Sequence, residues 1–560
     1  MLKTKLLLLF ASLGLLLSAC SISAGNKEGE GTTVQLPSSK ELPSSRKVEK
    51  FTLSVPPREQ DLVQYEMGFT MAEEWKKLGL DVTVEPFEAG TLSEISERKK
   101  NLDAFLYQWE GLASRFDPDF FIYDTLHSSN IESSKTNLSG YSQSEYDSIA
   151  LQQRSVTDPK ERKEVIHKAE EMFLKEVPYA PIVHREMLMP YNDEKFTNFT
   201  LMPGEGLNSF WTFMNVEPTG VQKYVRWAAL ADIKSFNPFS TNTTDQQVTR
   251  LIYDTLVRVD KNGRPQNWAA ESIQLENNDK KNYKVKLRDD LTFHDGEKVT
   301  VEDIKFSFDL LQKVQPPKLK ELVKPIEKIE IVDEKTIQFV LKEEFAPFIS
   351  KTLTEVYILP RRHWKPILDK DGEQGILEYK NENPVGSGPF QLNYWESNEE
   401  MKLDMNTGHF SPAKVNGILR IPYKTKEDLL VAVKNGQAEI GGIRLSALEW
   451  KEAEGNLRGK VLSVSDIGFD SVIFNTQKQP LDDQTFRQAL AFAIPKKQIV
   501  EELLAGKGDS AIGLISPNNE AWYQGMDEKP FNLQAAVDLL ADAGYEWDEN
   551  GHLYYPEDKD

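Results

Sequence analysis

Residues Leu287–Phe308 read LRDDLTFHDGEKVTVEDIKFSF. Two local rules organise the stretch. His294-Asp295-Gly296 is turn chemistry, because Asp closes short side-chain turns and Gly accepts a positive φ. Four residues on, Thr300 can cap a helix whose third residue is Asp303, with Ile304, Phe308 and Leu311 on one apolar face. A polar turn feeding a capped amphipathic helix is a structural unit, so His294 reads as a turn residue and not as a ligand contact.

Upstream, Phe51, Leu53 and Val55 alternate as a strand, and Leu62, Tyr65, Phe69, Ala72 and Trp75 recur at helical spacing up to Gly79. Leu80, Val82 and Val84 alternate again, and Ala104-Phe105-Leu106-Tyr107 is a short apolar strand. Asp158-Pro159 opens a further helix that Pro178 ends. Downstream, Pro384–Pro389 is a turn cluster, Leu429–Ile440 a helix and strand, Asp483–Leu504 a helix pair broken at Pro495, and Leu533–Ala543 a helix stopped by Gly544. The β-α-β-β order implies an α/β layer architecture. No part of 51–220 repeats in 221–560.

The chain has 560 residues, 39% hydrophobic and 28% charged, an ordinary globular composition. Its net charge of −21 argues against nucleic acid, whose binding needs a basic face. The single cysteine, Cys20, excludes an internal disulfide and a thiolate metal cluster. Lys3 and Lys5, the apolar run Leu6–Leu17 and the box Leu17-Ser18-Ala19-Cys20 form a leader too short to span a membrane, which resembles a bacterial lipoprotein signal cut before a lipidated Cys20; the alternative is a plain secretory signal. Residues 21–50 are rich in Ser, Gly, Glu, Lys and Pro and read as a flexible tether. Catalytic signatures are missing. There is no His-Glu-x-x-His, the seven histidines are scattered, and Gly386-Ser387-Gly388, Ala505-Gly506-Lys507-Gly508 and Gly204-Glu205-Gly206 read as turns. No enzyme, resident metal or cofactor is called for.

The opening stretch resembles the signature of the family 5 extracytoplasmic solute-binding proteins, the oligopeptide, dipeptide and nickel receptors of ABC importers. The resemblance extends to NPFS at 237–240, YDTLV at 253–257, WAAES at 268–272, PVGSGPF at 384–390, FNTQKQPLDDQTFRQALAFAI at 474–494 and NLQAAVDLLADAGY at 532–545. Pro495 stands where the family usually has Asp. Residues 51–216 are similar to the family's C-terminal part, through KFTLSVPP, KKLGLDVTVEPFE, DAFLYQW, FDPDFF, NLSGYSQSEYDSI and DPKERKEVIHKAEEMFLKEVPYAPIVHRE, yet here they come first.

The resemblance therefore implies a circularly permuted chain with an α/β, periplasmic-binding-protein-like fold of the class II type. It has two main lobes joined by a hinge, plus a smaller extra lobe. The expected order is 1–20 lipoprotein signal peptide, 21–50 tether, 51–216 family C-terminal part, 217–222 a bridge between the old termini, and 223–560 family N-terminal part. Lobe I takes about 196–216, 221–258 and 386–474, lobe II about 259–385, and lobe III joins 475–560 to 51–195. The hinge strands run through Phe474 and near Tyr191.

In function the resemblance implies a receptor lipidated on Cys20, held extracytoplasmically at the cell membrane, that captures oligopeptides and delivers them to an ABC permease. A monomer is expected, with a swapped dimer as alternative. Alternatives in function are a non-transport sensor lipoprotein and a receptor for a nickel chelate or other non-peptide solute. The expected ligand-binding set is Trp109, Glu110, Gly111, Asp117, Asn237 and Phe239. In the family a Trp at the end of this strand lines the cleft; the alternative is an ordinary core Trp. An Asp three residues later holds the peptide ammonium in several members, but Leu112 stands there, which leaves Glu110 and, less favoured as a turn residue, Asp117. Asn237 and Phe239 occupy the peptide-contacting segment of the opposing lobe.

Overall fold

The computed structural model describes residues 34–37, 42–87, 101–240, 242–276, 279–316, 319–456 and 460–557. Cys20, the leader and residues 21–33 and 38–41 of the tether lie outside these.

The signature folds as its sequence dictates. Gly296 takes φ +86°, and Thr300 and Asp303 form a reciprocal capping box on the helix Val301–Val314. His294 is bonded within the frame: its amide donates to Gly386 O (2.8 Å), and its ring contacts the Gly386 amide (3.3 Å) and Gly388 O (3.0 Å). This helix packs beside a four-stranded antiparallel sheet in the order Ala270–Leu275, Asn282–Leu287, Thr336–Leu341, Ile326–Ile331. The smaller lobe has no core of its own, since one continuous apolar core runs from Met189 through Val225, Phe308 and Phe339 to Ile440.

A twelve-stranded sheet carries the rest: β1 (Phe51–Val55), β2 (Val82–Pro86), β3 (Ala104–Trp109), β4 (Tyr179–Tyr191), β5 (Tyr224–Ala229), β6 (Phe390–Glu396), β7 (Glu400–Met405), β8 (Gly417–Pro422), β9 (Ile440–Gly441), β10 (Lys460–Ser465), β11 (Phe469–Phe474) and β12 (Gly508–Ser510). The path runs β6-β7-β8-β5-β9-β4-β11-β3-β1-β2, with β10 and β12 also on β4. The 13-residue β4 joins the two halves. Tyr179–Val183 pair with β11, Val183–Arg185 with β12 and Glu186–Tyr191 with β10. The strand through Tyr191 changes partners at residues 185–186, whereas the strand ending at Phe474 pairs with β3 and the first part of β4 throughout, and the chain changes partners ahead of it, at Asp466-Ile467-Gly468.

Both chain ends build lobe III. One core holds Phe51, Met71 and Trp75 together with Phe486, Val537 and Trp547, and a neighbouring one joins Phe105, Trp109 and Phe173 to Phe469 and Leu514. Main-chain bonds knit the ends: Val48 N to Leu553 O (2.9 Å), Leu553 N to Gly79 O (3.0 Å) and Tyr555 N to Arg46 O (2.7 Å). The closing residues form a completed hairpin, Glu546–Trp547 against Leu553–Tyr554. Glu217-Pro218 pairs with Phe196-Thr197, and beyond it Val221 is fully exposed, as suits a surface connection.

Candidate functional site

The point where the lobes meet is built on the β4 crossing. Asp466 accepts the Gly468 amide (2.9 Å) and faces Arg444 (3.0 Å). Arg185 bridges Asp470 (2.6 Å) and Asp61 (2.9 Å), which anchors the crossing to lobe III.

From lobe III the loop after β3 reaches into a notch in lobe I. Phe116 packs with Met202, Val259 and Ile467, and Gly263 at φ +79° leaves room for its ring. The Ala113 amide donates to Glu205 Oε1 (3.3 Å). Gly111 passes the Gly204 turn so closely that a Cβ would overlap the Asp466 carboxylate and stand 2.6 Å from Gly204 Cα. Gly111→Ala is accordingly expected to hold this contact open, seen as a larger radius of gyration in solution scattering; unchanged scattering would refute the steric argument.

The signature helix sets the opposite wall. Leu359 N donates to Ser307 Oγ (2.9 Å) and Arg361 N to Asp303 Oδ1 (2.8 Å), while Tyr357 bridges Thr255 and Ile358 N bonds Asp254 O (2.9 Å). These bonds fix Glu355 and Tyr357 beside Arg258, Arg250 and Glu205. Arg250 Nη1 bonds both Glu205 oxygens (2.7 Å each). Burial, and then the like charge of Glu205, push the Glu355 carboxyl up to about 7, only partly offset by Arg250 and Arg258. On the 110–116 loop, Arg115 donates to Glu110 O and lies 4.2 Å over the Phe120 ring; burial pulls its guanidinium below the usual range.

Lobe II also touches lobe III directly. Lys351 Nζ lies 2.7 Å from Asp119 Oδ2 and 2.7 Å from Asp124 Oδ2, Ser350 Oγ donates to Asp117, and Ala346 N donates to Arg154 O (2.6 Å). Burial opposes the charges, but Asp119 and Asp124 outweigh it and raise Lys351, while Arg154 and Lys351 hold Asp119 well below the carboxylate range.

The expected ligand set divides between core, bracing and contact positions. Trp109 is 1% exposed, between Tyr107 (4.7 Å), Phe120 (5.9 Å) and Tyr179 (6.1 Å), with Nε1 unpartnered. It sits in the core behind Tyr107 and Phe120 and does not itself line a cleft. Asp117 is spent on Arg162 (2.9 and 2.6 Å), the Asp119 amide and Ser350, so its carboxylate is structural. Asn237 is likewise spent, donating to Ile376 O (2.7 Å) and Tyr379 O (2.8 Å) and accepting the Phe239 amide (2.8 Å); Phe239 is buried edge-on to Trp364. Both brace the 361–379 segment. Glu110 is exposed and contributes its carbonyl to Arg115, and Gly111 lies at the contact between lobes. Cys20 lies outside the described residues. Sequence reasoning missed Glu205, Arg250, Glu355 and Lys351; the Gly204-Glu205-Gly206 turn it recognised is the piece that presents Glu205.

A separate cavity of about 70 Å³ inside lobe III, lined in part by Phe173, Tyr179, Phe492 and Lys496, is not part of this contact region, and its Lys496 amine bonds Ala511 O (2.7 Å). Among the described residues no three His, Cys, Asp or Glu side chains are arranged to hold a metal ion, and no helix is long and apolar enough to cross a membrane.

Comparison with known proteins bears on this arrangement. The family model described as bacterial extracellular solute-binding proteins, family 5 Middle, matches residues 264–559. Oligopeptide-binding protein AppA of Bacillus subtilis (strain 168) is 26% identical over 317 residues, covering 56% of this chain and 57% of the relative. Glutathione-binding protein GsiB of Escherichia coli (strain K12) is 27% identical over 327 residues, 56% and 60% of the two chains. The chain thus spans less than two thirds of the length of these curated relatives. The crystal structure of the ABC transporter substrate-binding protein CtaP from Listeria monocytogenes superposes with a TM-score of 0.50 at 20% identity, over 58% of this chain and 66% of that one, a likeness of fold.

Proposed function

Because the chain belongs to the bacterial extracellular solute-binding proteins of family 5, we propose that it captures oligopeptides between lobe III and lobes I and II and delivers them to an ABC permease. Members of the family bind solutes and do not transform them. The observation that carries the proposal is the meeting of the 110–116 loop of lobe III with the turn that presents Glu205, where the Ala113 amide donates to Glu205 and Arg250 bonds both its oxygens. A polar contact between lobes suits a solute held across it. The printed names of two relatives, oligopeptide-binding and glutathione-binding, favour a peptide. Lipid attachment at Cys20 accords with the leader, and two acyl chains would suffice for stable anchoring.

The same reading includes the chain order. Lobe III is completed by residues from both ends, and the family match begins at 264 and ends at 559. Residues 51–216 would then supply what relatives carry after their matched part, with 217–222 joining the old termini. New ends of this kind are tolerated at exposed loops.

Calorimetric titration with tetrapeptides of unrelated sequence tests the function. Several should bind, since extended peptides are held through main-chain hydrogen bonds with little sequence preference. Failure of every peptide, alongside tight binding of a nickel–histidine chelate, would replace the peptide reading by the chelate one.

A further inference from the structure

Both ends of the chain wall the cavity of about 70 Å³ in lobe III. Phe173 closes it from the helix Pro159–Glu176, Val177 and Tyr179 from the turn into β4, and Ala491 and Phe492 from the helix Gln484–Phe492. These walls are apolar. A cavity of about 150 Å³ with such a lining takes benzene, so one about half that size takes an aliphatic chain of a few carbons. Each methylene buried there is worth about fourfold in affinity.

The charge around the chamber is positive. Lys496 lines it, part-buried, and its amine carries three N–H groups. Among the described residues only Ala511 O (2.7 Å) accepts one of them, and no carboxylate lies within ion-pair distance. Burial pulls the amine down to about 8, with Glu528 only partly opposing it, so the group is still cationic at neutral pH. Lys529 adds a second cation, its amine 5.2 Å from the centre of the Phe492 ring, against one lining carboxylate, Asp527. Asp527 and Lys529 are both exposed, which brings the cavity to the surface beside them. An apolar chamber with a cation that keeps N–H groups to spare is the complement of a small amphiphilic anion. Two oxygens on one carbon match that amine, and the volume leaves no room for a bulkier phosphate ester beside the chain.

We propose that lobe III binds a short aliphatic monocarboxylate in this cavity, its chain against Phe173, Val177 and Phe492 and its carboxylate on Lys496. The site is separate from the contact between lobes and does not depend on the peptide reading. Because its walls come from residues 173–181 and 488–529, a bound acid also ties the two ends of the chain together.

Ligand-observed NMR titration at pH 7 compares pentanoate, 1-pentanol and acetate. Pentanoate should bind at least about tenfold tighter than 1-pentanol, which lacks the charge, and than acetate, which lacks the chain. Lys496→Met keeps the wall apolar and should bring pentanoate down to the level of 1-pentanol. Ala491→Leu fills the chamber and should abolish the binding of both. Pentanoate should raise the melting temperature of wild type and leave that of Ala491→Leu where it is, since only a ligand of the folded state stabilises it. Excess tetra-alanine should not displace pentanoate.

No saturable binding of pentanoate, or equal affinity of pentanoate and 1-pentanol for wild type, overturns the inference. A preference that survives Lys496→Met, or pentanoate binding that survives Ala491→Leu, does the same by placing the acid elsewhere. Displacement of pentanoate by tetra-alanine also overturns it, because the acid would then occupy the peptide site. The comparison of the three probes on wild type decides the matter even if a variant fails to fold, and failure of every peptide to bind leaves this site standing.

Discussion

Lys351→Met is expected to release lobe II from lobe III and to cost about 3–5 kcal/mol, the range for removing one partner of a buried ion pair. The ammonium lies 2.7 Å from each of Asp119 and Asp124. Without it Asp119 retains Arg154 (3.0 Å) and the Gln153 amide (2.8 Å), whereas Asp124 loses the ion pair that compensates it. The cost falls on the contact and not on either lobe, because Lys351 anchors no core. Denaturant unfolding should therefore shift, and solution scattering should show a more open particle. Unchanged scattering with a stability loss under about 1 kcal/mol, the scale of an exposed pair, would refute the latch. The pH dependence has a definite sign. Lys351 is raised, so its contribution is present through neutral pH and lost only in strong base; Asp119 is depressed, so its contribution is lost only in acid below the ordinary carboxylate range. Lys351 and Asp119 stay charged across the neutral range, while burial raises Asp124.

Truncation after Asp483 is expected to unfold residues 51–195, although every one of them is still present. The deletion takes away β12, the helices Gln484–Phe492 and Leu533–Asp542 and the terminal hairpin, all packed with the N-terminal strands. Specific partners disappear: the Trp75 indole donates to Leu490 O (3.0 Å), Arg46 pairs with Glu546 (2.7 Å), and buried Glu170 accepts the Leu514 and Ile515 amides (3.0 Å each). Limited proteolysis should cleave 51–195 under conditions that leave the whole chain intact. A compact, protected 51–195 would show two independent domains. The milder Trp547→Ala, which empties a fully buried site and frees Leu78 O, should cost about 3–5 kcal/mol.

What the sequence makes legible is local. Asp158 caps the helix Pro159–Glu176, Thr300 and Asp303 close their box, and Gly544 stands just past the helix Leu533–Asp542, because each feature involves neighbours a few residues apart. The site is not. Asp117 reads as a turn residue and does accept the Asp119 amide, but its partner Arg162, 45 residues away, is not marked by any spacing. Asn237 reads as a ligand contact, but its amide is claimed by carbonyls about 140 residues on. Glu355 sits in TLTEVYILP, where no spacing marks it; only the surrounding fold shows that it is unpaired.

Val34 and Leu36 pack against the lobe III core, Gln35 N bonds Gln534 Oε1 (3.0 Å), and Val48 continues the attachment to Leu553. Any pull or restraint transmitted along the upstream chain therefore arrives at lobe III. In that frame lobe III is the held end, and β4 is the strand that carries the restraint on to lobe I. The sheet edge formed by Phe390–Glu396 stands at the opposite end of the strand order from the held strands β1 and β2.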